Sequence, residues 1–385
     1  MTFDTKTFRN QLAELVATPS VSCTQPSLDM GNRKVVEMLA SWLKDKGFAI
    51  DIQTVNNHPH KANLIATLGR ADRENQLGGL VFSGHTDTVP YDDQLWSQDP
   101  FKLHIDSDRA YGLGATDMKG FFPTVMAAIE PYLNSELKEP LIILATADEE
   151  TSMAGAKALL QHQIPKARYA VIGEPTNMQP IRMHKGMTME AIRVTGQAGH
   201  SSNPNLGNNA LDVMHEIISS LKGYRTKLER HQHPGFTIAT PTLNLGCIHG
   251  GDNPNRICGQ CELEFDIRPV PGLRLDDLRA DIDAELSRIA QKHDIHIERY
   301  STFPGIDAFE QDPSSELIKA VEKLTGATAS SVAFATEAPF LQSMGMDVVV
   351  MGPGSIDQAH QPDEYIDLRQ VQPAVTTLQQ LIEKF

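Results

Sequence analysis

The strongest constraint on how this chain can fold is a set of acidic or imidazole-bearing segments lying far apart in sequence. They are Ser83-Gly84-His85-Thr86-Asp87, Ala115-Thr116-Asp117, Asp148-Glu149-Glu150, Gly173-Glu174-Pro175 and Ala359-His360-Gln361. Imidazoles mixed with carboxylates suit borderline divalent ions such as zinc, and a carboxylate with its two oxygens can bridge a pair of ions. If these side chains form one dinuclear site, the fold must bring residue 85 beside residue 360, and the chemistry to expect is hydrolysis.

The spacing of apolar residues shows how such a site could be assembled. Phe8, Leu12, Leu15 and Val16 recur at helical spacing before Pro19, and a second helix is expected over about 32–46. Strand-like runs follow at 49–54, 63–68 and 79–83, the last delivering His85 at its C-terminal end. A helix over 120–133 leads into the apolar run 141–147, read as a buried strand that ends at Asp148-Glu149-Glu150. Residues 154–160 read as helix, and 169–173 as a short buried strand ending at Glu174. Strands alternating with helices predict a mostly parallel sheet, where sites gather beyond the carboxyl ends of the strands.

Near Met183 the pattern changes. Segments 187–195, 242–248 and 261–267 alternate, 210–221 and 275–293 are helical, and 295–300 resembles a strand. This predicts an α+β layer with an antiparallel sheet covered on one face. The apolar run 347–351 then precedes His360, so the C-terminal segment must rejoin the first domain. A chain of 385 residues also exceeds what one hydrophobic core ordinarily serves. The expected fold class is therefore α/β: a discontinuous catalytic domain, 1–182 and 305–385, with a mostly parallel mixed sheet flanked by helices, plus an inserted α+β domain over 183–304.

Composition narrows the partners. A formal net charge of -15 disfavours nucleic acid, whose binding calls for clustered Lys and Arg. The N-terminus lacks the basic and apolar regions of a secretory signal, and no apolar stretch approaches about 20 residues, so no membrane partner is expected. The 4 cysteines do not make a disulfide framework in a chain this long, which fits a cytoplasmic protein. Cys258-x-x-Cys261 lies in an alternating segment without a second cysteine pair, and reads as buried, unmodified thiols rather than structural zinc. His58-Pro59-His60 and His231-Gln232-His233 are assigned to solvated loops.

Three motifs together carry a resemblance. Ser83-Gly84-His85-Thr86-Asp87-Thr88-Val89-Pro90, Gly112-Leu113-Gly114-Ala115-Thr116-Asp117-Met118-Lys119-Gly120 and Ala147-Asp148-Glu149-Glu150 occur in the order seen in the zinc aminoacylase and carboxypeptidase family, and the chain resembles that family over nearly its full length. The resemblance implies a zinc-aminopeptidase-like catalytic domain, an inserted dimerisation lid and hence a homodimer through that insert. It implies two Zn²⁺ ions per subunit, with Co²⁺ or Mn²⁺ as substitutes. His85 and Glu174 would bind one ion, Glu150 and His360 the other, and Asp117 would bridge them. A lone His or Glu is ordinarily a surface or capping residue, so this reading rests on the five occurring together.

By the same resemblance Glu149 is the general base, and Asp87 is the carboxylate that orients the His85 imidazole. The Asp117–Met118 peptide is expected to be cis. His200, in the insert, would reach the active site of a partner subunit and donate a hydrogen bond to the developing oxyanion. Asn255 and Arg268 are candidates for the substrate carboxylate, and Glu337 for a side-chain ammonium.

The substrate class implied is a small N-acyl amino acid. Ala115-Thr116-Asp117, Gly196-Gln197-Ala198-Gly199-His200-Ser201-Ser202, Asn253-Pro254-Asn255-Arg256-Ile257-Cys258-Gly259 and Thr336-Glu337-Ala338-Pro339-Phe340 resemble the members of the family that cleave N-acetyl-L-ornithine to L-ornithine and acetate, in arginine biosynthesis. Desuccinylation of N-succinyl-diaminopimelate and broader aminoacylase or dipeptidase activity remain alternatives that share the metals and the base. Desuccinylases resemble a Ser-Asp-Gly-Arg pattern where this chain has Thr336-Glu337-Ala338-Pro339, without the Arg. A catalytically inactive metal-binding scaffold is the alternative from another class, and Glu149 beside the ligands argues against it.

Overall fold

The computed structural model describes residues 3–56, 58–69 and 78–385. The chain forms two compact units, one of Met1–Arg182, Gln311–Ser330 and Thr336–Phe385, the other of Met183–Glu310 and Ser331–Ala335.

The first unit is built on a mixed sheet that is parallel at its centre. Leu80–His85 runs parallel to Leu141–Thr146 on one side and to Tyr169–Pro175 on the other, and Asp347–Gly352 continues parallel beyond Tyr169–Pro175. Every residue of Leu80–His85, Leu141–Thr146 and Tyr169–Pro175 is buried. These strands are covered on both faces, which is why they read as unbroken apolar runs. Towards one edge Ala62–Leu68 and Ala49–Thr54 add antiparallel, and on the other side Ile181 pairs antiparallel with Val350.

Helices Thr5–Val16, Arg33–Asp45, Phe121–Ile129 and Leu368–Lys384 supply Leu12, Leu15, Val36, Leu39, Phe122, Val371 and Leu378 to a core shared with Phe82, Ile143, Val171 and Val349 of the sheet. The first helix is capped by Asp4, whose carboxylate accepts from the amides of Lys6 (3.0 Å) and Thr7 (3.2 Å). A small second sheet positions the site. Tyr365–Asp367 pairs with Arg109–Tyr111, and that strand with His104–Asp106, so the chain just after His360 is tied to the segment leading to Asp117.

The second unit is an antiparallel sheet with strand order Thr242–Gly250, Gln260–Arg268, Met187–Thr195, His296–Ile306. Gln260–Arg268 buries alternate residues, and that face meets the helices Ala210–Leu228 and Leu275–His293 through Leu263, Phe265, Val213, Ile217, Leu278 and Ile282. Buried Glu190 accepts from Arg279 Nε (2.8 Å), Arg299 Nη1 (2.6 Å), Ser301 Oγ (2.9 Å) and Thr188 Oγ1 (2.7 Å), joining two strands to a helix. The unit runs to Glu310, past the expected boundary at 304, because Phe309 and Glu310 pair with His184 and Met183. Among the described residues no helix is long and apolar enough to cross a membrane.

Candidate metal centre

His85 is the last residue of Leu80–His85, Glu174 lies near the end of Tyr169–Pro175, and Asp148-Glu149-Glu150 follows Leu141–Thr146. Since these strands are parallel neighbours, their carboxyl ends deliver the side chains to one edge of the sheet. Glycine is required just before Glu174, because a Cβ at Gly173 would lie 2.1 Å from Cγ of Phe121. The strand therefore passes directly under the helix Phe121–Ile129. Asp117 stands in the loop preceding that helix, and its peptide bond to Met118 is cis.

A residue overlooked in the sequence holds this loop. The buried Glu364 carboxylate accepts from the amides of Gly114 (2.8 Å), Thr116 (2.8 Å) and Asp117 (2.9 Å), and Thr116 Oγ1 donates to the Tyr365 carbonyl (2.7 Å). The returning C-terminal segment thus provides His360 and also braces Asp117. Burial and the Asp117 charge push Glu364 up to about 8, against the pull of the three amides. Buried Lys119 helps from the other side, donating to the carbonyls of Leu15 (3.0 Å) and Thr18 (2.9 Å).

The side chains gather in sets with ligand atoms within 4.8 Å of one another: His85, Asp117 and Glu174; Asp117, Glu150 and His360; His85, Glu149 and Glu150. Asp117 belongs to the first two. Its Oδ1 lies 3.1 Å from His85 Nε2 and its Oδ2 3.6 Å from His360 Nε2, while Glu150 Oε2 lies 3.2 Å from His360 Nε2. His85 Nδ1 faces the Asp87 carbonyl oxygen at 3.0 Å, an acceptor only, so Nδ1 carries the hydrogen and the Nε2 lone pair is left able to bind a metal ion. Imidazole nitrogens and carboxylate oxygens in two sets that share a carboxylate fit a pair of borderline divalent ions.

Electrostatics point the same way. Desolvation, together with the charges of neighbouring carboxylates, raises Glu149 and Glu174 well above the usual carboxylate range. Burial opposes protonation of His85, but the Asp117 hydrogen bond and the charges of Glu174, Asp117 and Glu149 outweigh it and raise it well above an ordinary imidazole. The Glu150 hydrogen bond lifts His360 to about 9. So much negative charge close together favours bound cations, protons or metal.

The loop bearing Glu149 and Glu150 is held by two carboxylates. Asp87 Oδ1 and Oδ2 accept from the amides of Glu149 (3.3 Å) and Glu150 (3.1 Å). His85 Nδ1 is thus closest to the Asp87 carbonyl oxygen, with the Asp87 carboxylate at 3.9 Å, while that carboxylate holds the loop of Glu149 and Glu150. Burial pushes Asp87 up to about 6. On the other side Asp148, left-handed at φ 64, accepts from Lys61, Ser22 and Ser152 and from Thr151 Oγ1 (2.9 Å). Lys61, also overlooked, reaches Asp29 at 3.0 Å as well. Glu337 is buried in this unit too and accepts from Thr146 Oγ1 (2.7 Å), and burial pushes it up to about 7.

The remaining candidates lie in the second unit. His200 is exposed, with its Nδ1 2.7 Å from Ser202 Oγ. Asn255 is exposed, its carbonyl accepting from the Ser201 amide (3.1 Å), and Arg268 Nε lies 3.3 Å from Asp266 Oδ2. Cys258 and Cys261 are buried and belong to none of the metal-ligating sets among the described residues. His58 and His60 are exposed, whereas His233 Nε2 pairs with Glu310 at 3.2 Å.

Known proteins share this architecture and sequence. The chain is 46% identical over 372 residues to an acetylornithine deacetylase of Yersinia pseudotuberculosis, covering 96% of this chain and 95% of the relative. It is 45% identical over 372 residues to an acetylornithine deacetylase of Klebsiella pneumoniae, covering 96% of each. In structure it is similar to aminopeptidase PepT from Bacillus cereus, with a TM-score of 0.76, 17% identity and 99% of each chain covered. Residues 81–384 match Peptidase family M20/M25/M40, and the chain belongs to that family and is a metal-dependent hydrolase.

Proposed function

We propose that this chain removes the acetyl group from N-acetyl-L-ornithine, giving L-ornithine and acetate. The observation that carries the reading is Glu149, a carboxylate grouped with His85 and Glu150 beside two ligand sets that share Asp117. A metal-binding scaffold has no use for such a base. The substrate is taken from the deacetylase relatives, which this chain resembles over nearly its whole length.

His85 and Glu174 would hold one ion, Glu150 and His360 the other, and Asp117 both, with two zinc ions per subunit and cobalt or manganese as substitutes. When bound, such ions acidify water and polarise an acyl carbonyl. Glu149 takes the proton of the attacking water, and its desolvated, carboxylate-flanked position strengthens its hold on that proton. As the C–O bond forms at the acetyl carbon and the amide C–N bond breaks, Glu149 passes the proton to the departing amine. Asp87 keeps the base in place through the amides of Glu149 and Glu150.

His200 from a second copy of the chain donates a hydrogen bond to the acyl oxygen as charge develops on it, which makes the working enzyme a homodimer through the inserted unit. Asn255 and Arg268 take the α-carboxylate, and Glu337 the side-chain ammonium. Ornithine made this way feeds arginine biosynthesis in the cytoplasm. The test compares initial rates of the zinc-loaded protein on N-acetyl-L-ornithine, N-succinyl-diaminopimelate and other N-acetyl amino acids. N-acetyl-L-ornithine should give the highest kcat/KM; preference for the succinyl compound, or no turnover of any, would refute the reading.

A further inference from the structure

Lys61 stands just ahead of the strand Ala62–Leu68, which pairs antiparallel with Leu141–Thr146 so that Leu64 faces Ala145. Continuing that register, three residues back from Leu64 and three on from Ala145, sets Lys61 opposite Asp148, the residue before Glu149. The Lys61 ammonium pairs there with Asp148 and, at 3.0 Å, with Asp29. Side-chain exposure is 7% for Lys61 and 4% for Asp148, so salt and water screen this pair little. Burial opposes the charge on Lys61, but its hydrogen bonds to Asp148 and Asp29 outweigh burial and raise its pKa.

Asp148 is where the loop of Glu149 and Glu150 turns. Its backbone is left-handed, a conformation uncommon for a residue with a side chain and kept only where neighbours enforce it. Its carbonyl accepts from the amides of Ser152 (3.0 Å) and Met153 (2.6 Å), and its carboxylate from the hydroxyls of Ser22, Ser152 and Thr151. Those hydroxyls carry no charge, so Lys61 supplies the cation that a buried carboxylate needs. Lys61 is itself fixed: its amide donates to the His58 carbonyl (2.9 Å) and its carbonyl accepts from the Val55 amide (3.0 Å). Asp87 grips the amides of Glu149 and Glu150, and Lys61 grips the residue that precedes them.

We propose that Lys61 is a positioning residue for the hydrolysis: clamped between Asp29 and Asp148, its ammonium fixes the turn before Glu149 and thereby sets where that base meets the attacking water. It acts through Asp148, at the start of the loop, rather than on the substrate. The proposal rests on Glu149 as the base and adds to it a lysine that the motifs did not single out.

The experiment measures zinc content, kcat and KM on N-acetyl-L-ornithine, and amide hydrogen exchange with and without zinc. It compares the wild type with Lys61→Gln, Lys61→Arg, Glu149→Gln and the double variant Lys61→Gln with Glu149→Gln. Lys61→Gln should lower kcat about ten- to a hundredfold, with KM within about twofold and the zinc content of the wild type. Lys61→Arg, which keeps a cation between the two carboxylates, should recover most of that loss. The amides of Ser152 and Met153 should exchange about tenfold faster in Lys61→Gln, while those of Leu141–Thr146 keep wild-type rates. With no base left to position, adding Lys61→Gln to Glu149→Gln should cost about twofold or less. An unchanged kcat, the full further loss on top of Glu149→Gln, or faster exchange throughout the strand would overturn the proposal. Should Lys61→Gln fail to fold, the double variant Lys61→Gln with Asp148→Asn, which removes both charges, takes its place; wild-type kcat in it, or its failure to fold as well, overturns the proposal. A wild type without deacetylase activity, or a Glu149→Gln protein as fast as wild type, refutes the functional reading, whereas exchange at Ser152 and Met153 no faster than in wild type refutes the role of Lys61 alone.

Discussion

Glu149→Gln isolates the chemistry of the base from the architecture around it. The amide side chain has nearly the same shape, and the backbone N–H that Asp87 Oδ1 accepts at 3.3 Å is untouched. The sets of His85, Asp117 and Glu174 and of Asp117, Glu150 and His360 keep all their ligand atoms. What disappears is a carboxylate able to take and return a proton. General acid–base catalysis contributes about 10²–10⁴ in rate, or about 2.7–5.5 kcal/mol of barrier. Steady-state hydrolysis should show kcat reduced by that factor with KM little changed, and elemental analysis should find the metal content of the wild type.

The same variant makes a second, opposite prediction about stability. Desolvation and the nearby Glu174 and Glu150 charges raise the pKa of Glu149 in the folded protein. The folded state therefore binds this proton more tightly than the unfolded state does. Stability is lost as pH rises from the unfolded carboxylate value, about 4.3, towards the folded one. Freed of metal, Glu149→Gln should melt at a higher temperature than metal-free wild type at pH 7, and the gap should close as pH falls towards 4. A kcat within tenfold of wild type, or loss of bound metal, would refute Glu149 as the base.

Other substitutions probe the supports. Glu364→Ala leaves the amides of Gly114, Thr116 and Asp117 without their acceptor, and should weaken metal binding about 10–100-fold in a competition assay with a chelator. Glu190→Ala should cost the second unit about 3–5 kcal/mol at pH 7 in denaturant titration, because it leaves Arg279 and Arg299 without their shared carboxylate. Burial opposes ionisation of Glu190, but hydrogen bonds from Thr188, Arg279 and Ser301 hold its pKa below the ordinary value. Its contribution is therefore present above the unfolded carboxylate pKa and lost as pH falls through the lower folded one, so wild type and variant should converge in acid. His200→Ala should lower turnover by about 10²–10³ with metal content intact, and unchanged turnover would remove His200 from the mechanism.

How much of this was legible in the sequence depends on the kind of signal. Leu141–Thr146 and Tyr169–Pro175 are buried throughout and close to chemistry-bearing residues, so their apolar runs and their ends could be read along one dimension. The helix Leu275–His293 was equally plain, because Leu275, Leu278, Ile282, Leu286 and Ile289 bury one face. The supports were not legible. Glu364, Lys61 and Lys119 look like ordinary surface charges in sequence; their burial comes only from distant partners such as Asp117, Asp148 and the Leu15 carbonyl. Part of what Asp87 does was hidden for a related reason. Its place beside His85 can be read in sequence, but the amides of Glu149 and Glu150 reach its carboxylate only because the parallel neighbour Leu141–Thr146 delivers them. The small strands at Arg109–Tyr111 and Tyr365–Asp367 are too short for periodicity to register, yet they tie the Asp117 loop to the returning chain.

Two sets of side chains able to hold a metal ion share Asp117, and counting the ions bound per chain tests directly whether both are filled. The protein is stripped with a chelator and titrated with zinc by calorimetry, while hydrolysis of N-acetyl-L-ornithine is followed on the same samples. Turnover should be absent without metal, binding should saturate at two ions per chain, and deacetylation should then return. Asp117→Asn should weaken both binding events, because that carboxylate belongs to both sets. Turnover that survives complete metal removal, or saturation at a single ion unaffected by the loss of Asp117, would contradict a two-ion site bridged by that carboxylate.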